Sequence, residues 1–140
     1  MAVQLRYVSD TPMSQRLDIR EHVLTVDSSV AEGGQDAGPN PHDLYDSALG
    51  ACKALTVLWY AQHKGWHLDD VQTTVERDAS QERQGTYKLA VRMQIRASLT
   101  DAQWAELERV ADKCPVHKLM TQVTTEISTD LERLAAKAPE

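Results

Sequence analysis

The sequence predicts an α+β fold in which antiparallel strands surround one long central helix, in the order βββ-α-ββ-αα-β. Three observations support this prediction. Short segments of alternating apolar and polar residues occur before and after the middle of the chain, the middle itself reads as one long apolar helix, and 140 residues suit one compact domain but not two. We therefore treat residues 1–140 as a single domain.

The first three strands are predicted from segments rich in β-branched or alternating apolar residues, VQLRYV, QRLDI and HVLTVD. The stretch SDTPMS and the pair Arg20-Glu21 separate them as turns, so an antiparallel meander is expected. The next stretch, from Ser28 to Pro41, is crowded with Gly, Pro, Ser and Asn and predicts a loop.

The central helix is predicted from about Pro41 to Lys64. Asn40 suits the N-cap, proline suits the first helical position, and Gly65 is a typical stop. The middle of the helix, SALGACKALTVLWYA, is apolar nearly all round, with Lys53 as its one charge. This pattern is typical of a helix enclosed by protein.

The second half of the chain predicts two strands, two helices and a last strand. The strands lie near Val71 to Asp78 and Thr86 to Ser98, and LAVRMQIRA in the second alternates as a half-buried strand should. Thr100 and Gln103 form a capping box for the first helix, and CPVHKLMTQ begins the second. The segment TTEISTDLE predicts the last strand.

The charge and the start of the chain exclude several classes of partner. A formal charge of −6 and a pI near 5.3 argue against binding to nucleic acid or to an anionic membrane, since both need a concentrated basic patch. The start, MAVQLRYVSDTPM, lacks the features of a secretory signal, and no stretch approaches the roughly 20 apolar residues that span a bilayer. A cytoplasmic protein is expected.

Cys52 and Cys114 are far apart and belong to no CxxC motif, so a permanent structural disulfide is not expected in a reducing compartment. Cys52 lies about three turns into the central helix, where the helix dipole contributes little. It is either a small buried hydrophobe or a reactive thiol, and a reactive thiol would require a nearby cation.

Cys114 immediately precedes Pro115, at or beside a helix N-terminus, where unpaired backbone N–H groups favour a thiolate. That position suits a resolving thiol or a leaving group, and equally a capping or packing cysteine. Cys114-x-x-His117 also admits half of a zinc site, although the other ligands would have to come from scattered histidines.

The run GPNPHDLYDSALGACKALTVLWYAQHKGW, followed later by DKCPVHKLM, resembles the OsmC/Ohr family of organic hydroperoxide resistance and osmotically inducible proteins. The shared features are an NP-x-x-L start to a long helix, an A-x-x-A-C core and a C-P-V sequence near the end. The predicted element order also agrees along essentially the whole chain.

The resemblance implies an intertwined homodimer in which paired sheets wrap the central helices and each active site lies at the subunit interface. It implies a thiol-dependent peroxidase that reduces organic hydroperoxides, and hydrogen peroxide more weakly, in oxidative-stress defence. Cys52 would be the peroxidatic cysteine and Cys114 the resolving one, and an external dithiol such as a dihydrolipoyl protein would reduce their disulfide. No bound cofactor and no metal are implied.

One position departs from the family pattern. The glutamate usually found two residues after the Asn of the NP start is His42 here, with Asp43 beside it. His42 lies roughly 15 Å along the helix from Cys52, so it would act through a bridging residue or from the other subunit, or else be a solvated first-turn histidine. Arg16 and Arg20 in the N-terminal strands are the candidates for the arginine that activates Cys52.

Tyr45, Trp59 and Asp43 are the predicted lining of a pocket for the hydroperoxide, although aromatic side chains at helical spacing also suit a core. The departure at His42 and the unassigned arginine leave a second interpretation open. In it, the protein is a non-catalytic OsmC-like protein that senses redox state or binds a small ligand.

Overall fold

A computed structural model describes residues 1–138 of the chain. It contains five strands and three α-helices within that range. Their bounds are Val3–Tyr7 (β1), Gln15–Ile19 (β2), His22–Val26 (β3), Pro41–Lys64 (α1), Leu68–Asp78 (β4), Lys88–Ala97 (β5), Asp101–Ala111 (α2) and Pro115–Thr121 (α3). The architecture is α+β, as predicted.

The first three strands form an antiparallel sheet in the order β1-β2-β3, which confirms the predicted meander. Leu17 on the middle strand is buried, whereas Leu5 and Leu24, its neighbours on the outer strands, remain about half exposed. A single chain therefore leaves apolar side chains of this sheet open to solvent.

Asp27 organises the loop that leads from this sheet to α1. Its buried carboxylate accepts hydrogen bonds from the backbone N–H groups of Ser28, Gln35 and Ala37 at 2.8 to 3.1 Å. These bonds, that from Ser28 above all, hold the pKa of Asp27 below its usual value. The loop is thus ordered by one carboxylate, with only a short 3₁₀ turn at Val30–Glu32.

The bounds of α1 are those predicted. The Asn40 side chain accepts from the Asp43 N–H at 2.8 Å while the Asp43 carboxylate accepts from the Asn40 N–H at 2.9 Å, forming a reciprocal capping box. At the other end Gly65 adopts a left-handed φ of 72° that terminates the helix.

The hairpin of β4 and β5 packs one face against α1. Val71, Thr73 and Val75 on β4 lie opposite apolar residues of β5, and these positions are less exposed than their neighbours. Gly50 permits the closest approach, since a Cβ there would lie 2.7 Å from a methyl group of Val75. Leu107 and Val110 of α2 are buried, in the region where α2 packs against α1.

Two expectations are wrong for the single chain. The segment TTEISTDLE is irregular, with Ile127 and Leu131 exposed by 82% and 96%. A strand exists only through hydrogen bonds to a neighbouring strand, and this segment pairs with none in residues 1–138, so the observed order is βββ-α-ββ-αα. The helix α1 is also not fully enclosed, because Leu55 and Trp59 on one side are exposed by 67% and 59%.

Within the described residues, none of the helices has both the length and the apolar character that a membrane crossing requires.

Candidate functional site

The fold brings the two cysteines together. Both are free thiols; Cys52 is partly exposed on α1, and Cys114 is 1% exposed as the N-cap residue of α3. Cys52 lines a groove together with Lys113 and Pro115, the two residues that flank Cys114, and it is close enough to influence the pKa of the Cys114 thiol. Two cysteines that are far apart in the sequence are therefore neighbours in the fold.

The expectation that Cys114 favours the thiolate is wrong for the reduced, single-chain structure. Burial, the largest effect, raises the pKa of Cys114, and the neighbouring Cys52 raises it further. The His117 N–H, which donates to Sγ at 3.3 Å, and the charge of Lys53 act in the opposite direction without compensating. The helix N-terminus is present as predicted, but desolvation outweighs it.

Lys53 is a buried cation beside the cysteine pair. Its side chain is 7% exposed, and Nζ lies 2.9 Å from the Ala111 carbonyl oxygen and 3.0 Å from Nδ1 of His117. The Asp112 carboxylate stands 3.7 Å away and is largely in solvent. The sequence offered a signal for this residue, a single charge inside an apolar helix next to Cys52, but gave no indication of its partners.

An open apolar groove of about 810 Å³ runs over Cys52 on the exposed side of α1. Trp59 lies along it and stacks on His63 with ring centroids 3.8 Å apart, and its role in a substrate pocket stays a prediction. The other lining residues include Leu55, Gln62, Lys113 and Pro115.

Tyr45 and Asp43 lie away from this groove. Tyr45 lines a separate depression of about 490 Å³ that it shares with Tyr87 and His117. Asp43 belongs to the capping box of α1 and pairs with Arg77. The three predicted pocket residues are thus divided among three places in one chain, and only Trp59 shares a groove with Cys52.

Arg77 is part of a polar network between β4 and α1. Its Nε donates to the Asp46 carboxylate at 2.6 Å, and its terminal nitrogen donates to Asp43. The other oxygen of Asp46 accepts from the Tyr87 hydroxyl at 2.6 Å. The hydrogen bond from the backbone N–H of Asn40, followed by that from Arg77, lowers the pKa of Asp43. Burial and then the bond to Asp46 raise the pKa of Tyr87 to about 12.

His42 faces the hairpin rather than Cys52 in the single chain. Its Nε2 lies 2.7 Å from the Glu82 carboxylate, and its ring meets that of Tyr87 edge-on at 5.8 Å. The position that holds a glutamate in the family pattern therefore holds a half-exposed histidine paired with a glutamate from the turn between β4 and β5.

Arg16 and Arg20 lie on the N-terminal sheet, around a polar depression there. Arg16 pairs with Asp18 at 3.1 Å, and Arg20, in the turn after β2 with a φ of 52°, lies 3.7 Å from the sulfur of Met1. Neither lines the groove over Cys52 in one chain. Their role in activating Cys52 stays a prediction.

The zinc interpretation gains no support from residues 1–138, where no three potential ligands are grouped as a metal would require. Nδ1 of His117 is directed at Lys53, and Cys114 Sγ accepts from the His117 N–H.

Comparison with known proteins places this geometry in a family. The model of the family described as OsmC-like protein matches residues 33–130, a range that includes both cysteines. The chain belongs to the OsmC-like family. No curated protein matches the sequence.

Solved structures share the OsmC-like fold at low sequence identity. An OsmC-like protein from Mycoplasma pneumoniae is 18% identical with a TM-score of 0.69 over 87% of each chain. The organic hydroperoxide resistance protein OsmC from Legionella pneumophila is 19% identical with a TM-score of 0.59, over 87% of this chain and 90% of that one. The corresponding values for the organic hydroperoxide resistance protein OhrB of Bacillus subtilis are 19%, 0.55, 87% and 92%.

Proposed function

We propose that this OsmC-like protein is a thiol-dependent peroxidase that reduces organic hydroperoxides, and hydrogen peroxide more weakly, in defence against oxidative stress. The closeness of Cys52 on α1 to Cys114 at the start of α3 is the observation that carries the proposal. Cys52 opens onto an apolar groove, which suits an organic hydroperoxide, and Cys114 is buried behind it.

The proposed reduction of a hydroperoxide takes place in three steps. The Cys52 thiolate attacks the O–O bond of a hydroperoxide, takes one oxygen as a sulfenic acid and releases an alkoxide that leaves as the alcohol after protonation. The Cys114 thiol then attacks the sulfenic sulfur, forming the disulfide and expelling water. An external dithiol, such as that of a dihydrolipoyl protein, reduces the disulfide and is itself oxidised to a disulfide.

The cation that activates Cys52 is proposed to come from a second copy of the chain in a homodimer, with Arg16 and Arg20 as the candidates. Such a dimer would cover exposed apolar side chains, which include Leu55 and Trp59 on α1 and those of the N-terminal sheet. His42 would then act from the same interface. The cycle needs no bound cofactor and no metal, and we place it in the cytoplasm, where dithiol reductants maintain free thiols.

Anaerobic thiol titration tests the proposal. One equivalent of cumene hydroperoxide should consume both thiols of the reduced protein and yield one intramolecular disulfide. Cys52→Ser should abolish turnover with a dithiol reductant. If both thiols survive the peroxide, or if turnover persists in Cys52→Ser, the peroxidase proposal is rejected.

A second candidate is a non-catalytic OsmC-like protein that senses redox state or binds a small ligand. The pairing of His42 with Glu82, away from Cys52, favours it. This candidate requires a Cys52 pKa at or above the ordinary value of about 8.5 and slow reaction with peroxide, together with saturable binding of an apolar probe in the groove. Titration of the Cys52 thiol by alkylation rate against pH separates the two.

A further inference from the structure

The position of Lys53 has a consequence for the half of the cycle that restores the thiols. Lys53 follows Cys52 directly on α1, but its side chain turns inward to the place where α1, α2 and α3 meet. A buried ammonium is costly unless it is hydrogen-bonded, and here the last residue of α2 and the ring of His117 on α3 supply the acceptors.

The hydrogen bond between Lys53 and His117 has a defined direction. An ammonium has only donors, so Nδ1 of His117 is the acceptor. The backbone N–H of the same histidine donates to Cys114 Sγ at 3.3 Å. Lys53 thus binds the side chain of the residue whose backbone N–H donates to the Cys114 sulfur, and its positive charge favours the thiolate of Cys114.

The two sulfurs are unequal in access as well as in surroundings. Cys52 lines the open groove, whereas Cys114 is 1% exposed. In a disulfide between them, an incoming thiolate can reach Cys52 Sγ, and the sulfur that departs is the one beside Lys53. Exchange is faster when the departing thiolate is better stabilised. Burial raises the pKa of Cys114, so the opposing effects of Lys53 and the His117 N–H are what assist its departure.

We propose that Lys53 is a positioning residue for disulfide reduction: through His117 and its own charge it prepares Cys114 to leave, so that a dithiol attacks Cys52 Sγ. The first thiolate of the reductant bonds to Cys52 Sγ, and the electron pair of the S–S bond leaves on Cys114 Sγ. The second thiol of the reductant then attacks the first sulfur of the reductant, which is bonded to Cys52 in the mixed disulfide. This step releases reduced Cys52 and the oxidised, cyclic reductant. The inference rests on the Cys52–Cys114 disulfide of the proposed function.

The test uses the full chain oxidised with diamide, which makes the disulfide without any peroxide. A monothiol, 2-mercaptoethanol, is added, the reaction is quenched by acid and alkylation, and peptide mass spectrometry locates the mixed disulfide. The expected result for the unmodified protein is an adduct on Cys52 in roughly 10-fold excess over Cys114 or more. A majority of adduct on Cys114 would overturn the proposal without involving any variant.

Variants of Lys53 supply the second measurement. Lys53→Met keeps the length of the side chain and removes the charge, and it should slow reduction of the disulfide by dithiothreitol about 10-fold and make the adduct less selective for Cys52. Lys53→Arg, which keeps the charge and a donor, should restore most of the rate and the selectivity. An unchanged rate and unchanged selectivity in folded Lys53→Met would refute the proposal.

These outcomes are separate from the test of the peroxidase itself. A selective adduct on Cys52 that depends on Lys53, in a protein that does not reduce hydroperoxides, would support the role of Lys53 and reject the peroxidase. Turnover with hydroperoxide, combined with no effect of Lys53→Met on disulfide reduction, would support the peroxidase and reject the role of Lys53.

Discussion

Arg77 on β4 donates from Nε to the Asp46 carboxylate on α1 at 2.6 Å, and this ion pair joins the β4–β5 hairpin to the central helix. Asp46 is 6% exposed, and its second oxygen accepts from the hydroxyl of Tyr87, which directly precedes β5 of the same hairpin. A buried carboxylate with both oxygens engaged keeps the arginine and the tyrosine satisfied together, so the three residues behave as one unit.

Asp46→Asn should lower the free energy of unfolding by about 2 to 3 kcal/mol, because the neutral amide cannot accept from Arg77 and Tyr87 on both sides. Urea unfolding at neutral pH measures the change. Asp18→Asn is the matched control, since Asp18 pairs with an arginine on an exposed face, where an ion pair contributes less than about 1 kcal/mol. Equal losses in the two variants would contradict the structural role of Asp46.

Asp43 should contribute a pH-dependent part of the stability. The backbone N–H of Asn40 and the side chain of Arg77 lower the pKa of Asp43 in the folded state. The stabilisation is therefore complete above the unfolded pKa of about 3.9 and is lost as pH falls through the lower folded value. Asp43→Asn should therefore lower the free energy of unfolding by about 1 kcal/mol at pH 7, and the difference should vanish in acid. Urea unfolding of both proteins between pH 7 and acid measures it; a difference that grows in acid would contradict the assignment.

Gly50 should resist even the smallest side chain. A Cβ at this position lies 2.7 Å from Val75, so Gly50→Ala forces the helix and hairpin apart and should cost about 1 to 2 kcal/mol, despite the gain of about 1 kcal/mol in helix propensity. Thermal and urea unfolding measure the net effect. Ser47→Ala, at an exposed position in the same helix, should change stability by less than about 0.5 kcal/mol.

The sequence was sufficient for α1 because its determinants are local. Asn40, Asp43 and Gly65 set the ends of the helix through contacts within a few residues, and alternation similarly revealed the hairpin strands. The prediction of the last strand was wrong for the single chain, because a strand forms only beside a partner strand and the sequence pattern does not show whether one is present.

The sequence indicated the two cysteines of the candidate site but not the charged and polar groups around them. The motifs around Cys52 and Cys114 identified both thiols, yet the partners of Lys53 lie 58 and 64 residues away and depend on the packing of three helices. The raised pKa of Cys114 has the same origin, since burial is a property of the assembled fold and the helix N-terminus is a local one.

The proposed activating arginine predicts a kinetic difference among exposed arginines. Arg16→Ala or Arg20→Ala should slow oxidation of Cys52 by cumene hydroperoxide about 10-fold or more, because the thiolate loses the cation proposed to activate it in the assembled protein. Arg109→Ala, exposed on α2, is the control and should react at the original rate. Stopped-flow measurement of the first oxidation event separates this step from reduction, and equal rates in all three variants would remove both candidates.

Cys114→Ser should convert a transient intermediate into a stable one. Without the neighbouring thiol of Cys114, the sulfenic acid formed by one equivalent of hydroperoxide has no resolving partner and should persist. A dimedone-type reagent should then label Cys52 at roughly one equivalent per chain, against less than about 0.1 in the unmodified protein, where disulfide formation competes. Mass spectrometry of the intact protein and its peptides measures the label, with Cys52→Ser as the control that should take none. Because the two cysteines are neighbours in the single-chain structure, equal labelling of Cys114→Ser and the unmodified protein would mean that Cys114 does not resolve the sulfenic acid.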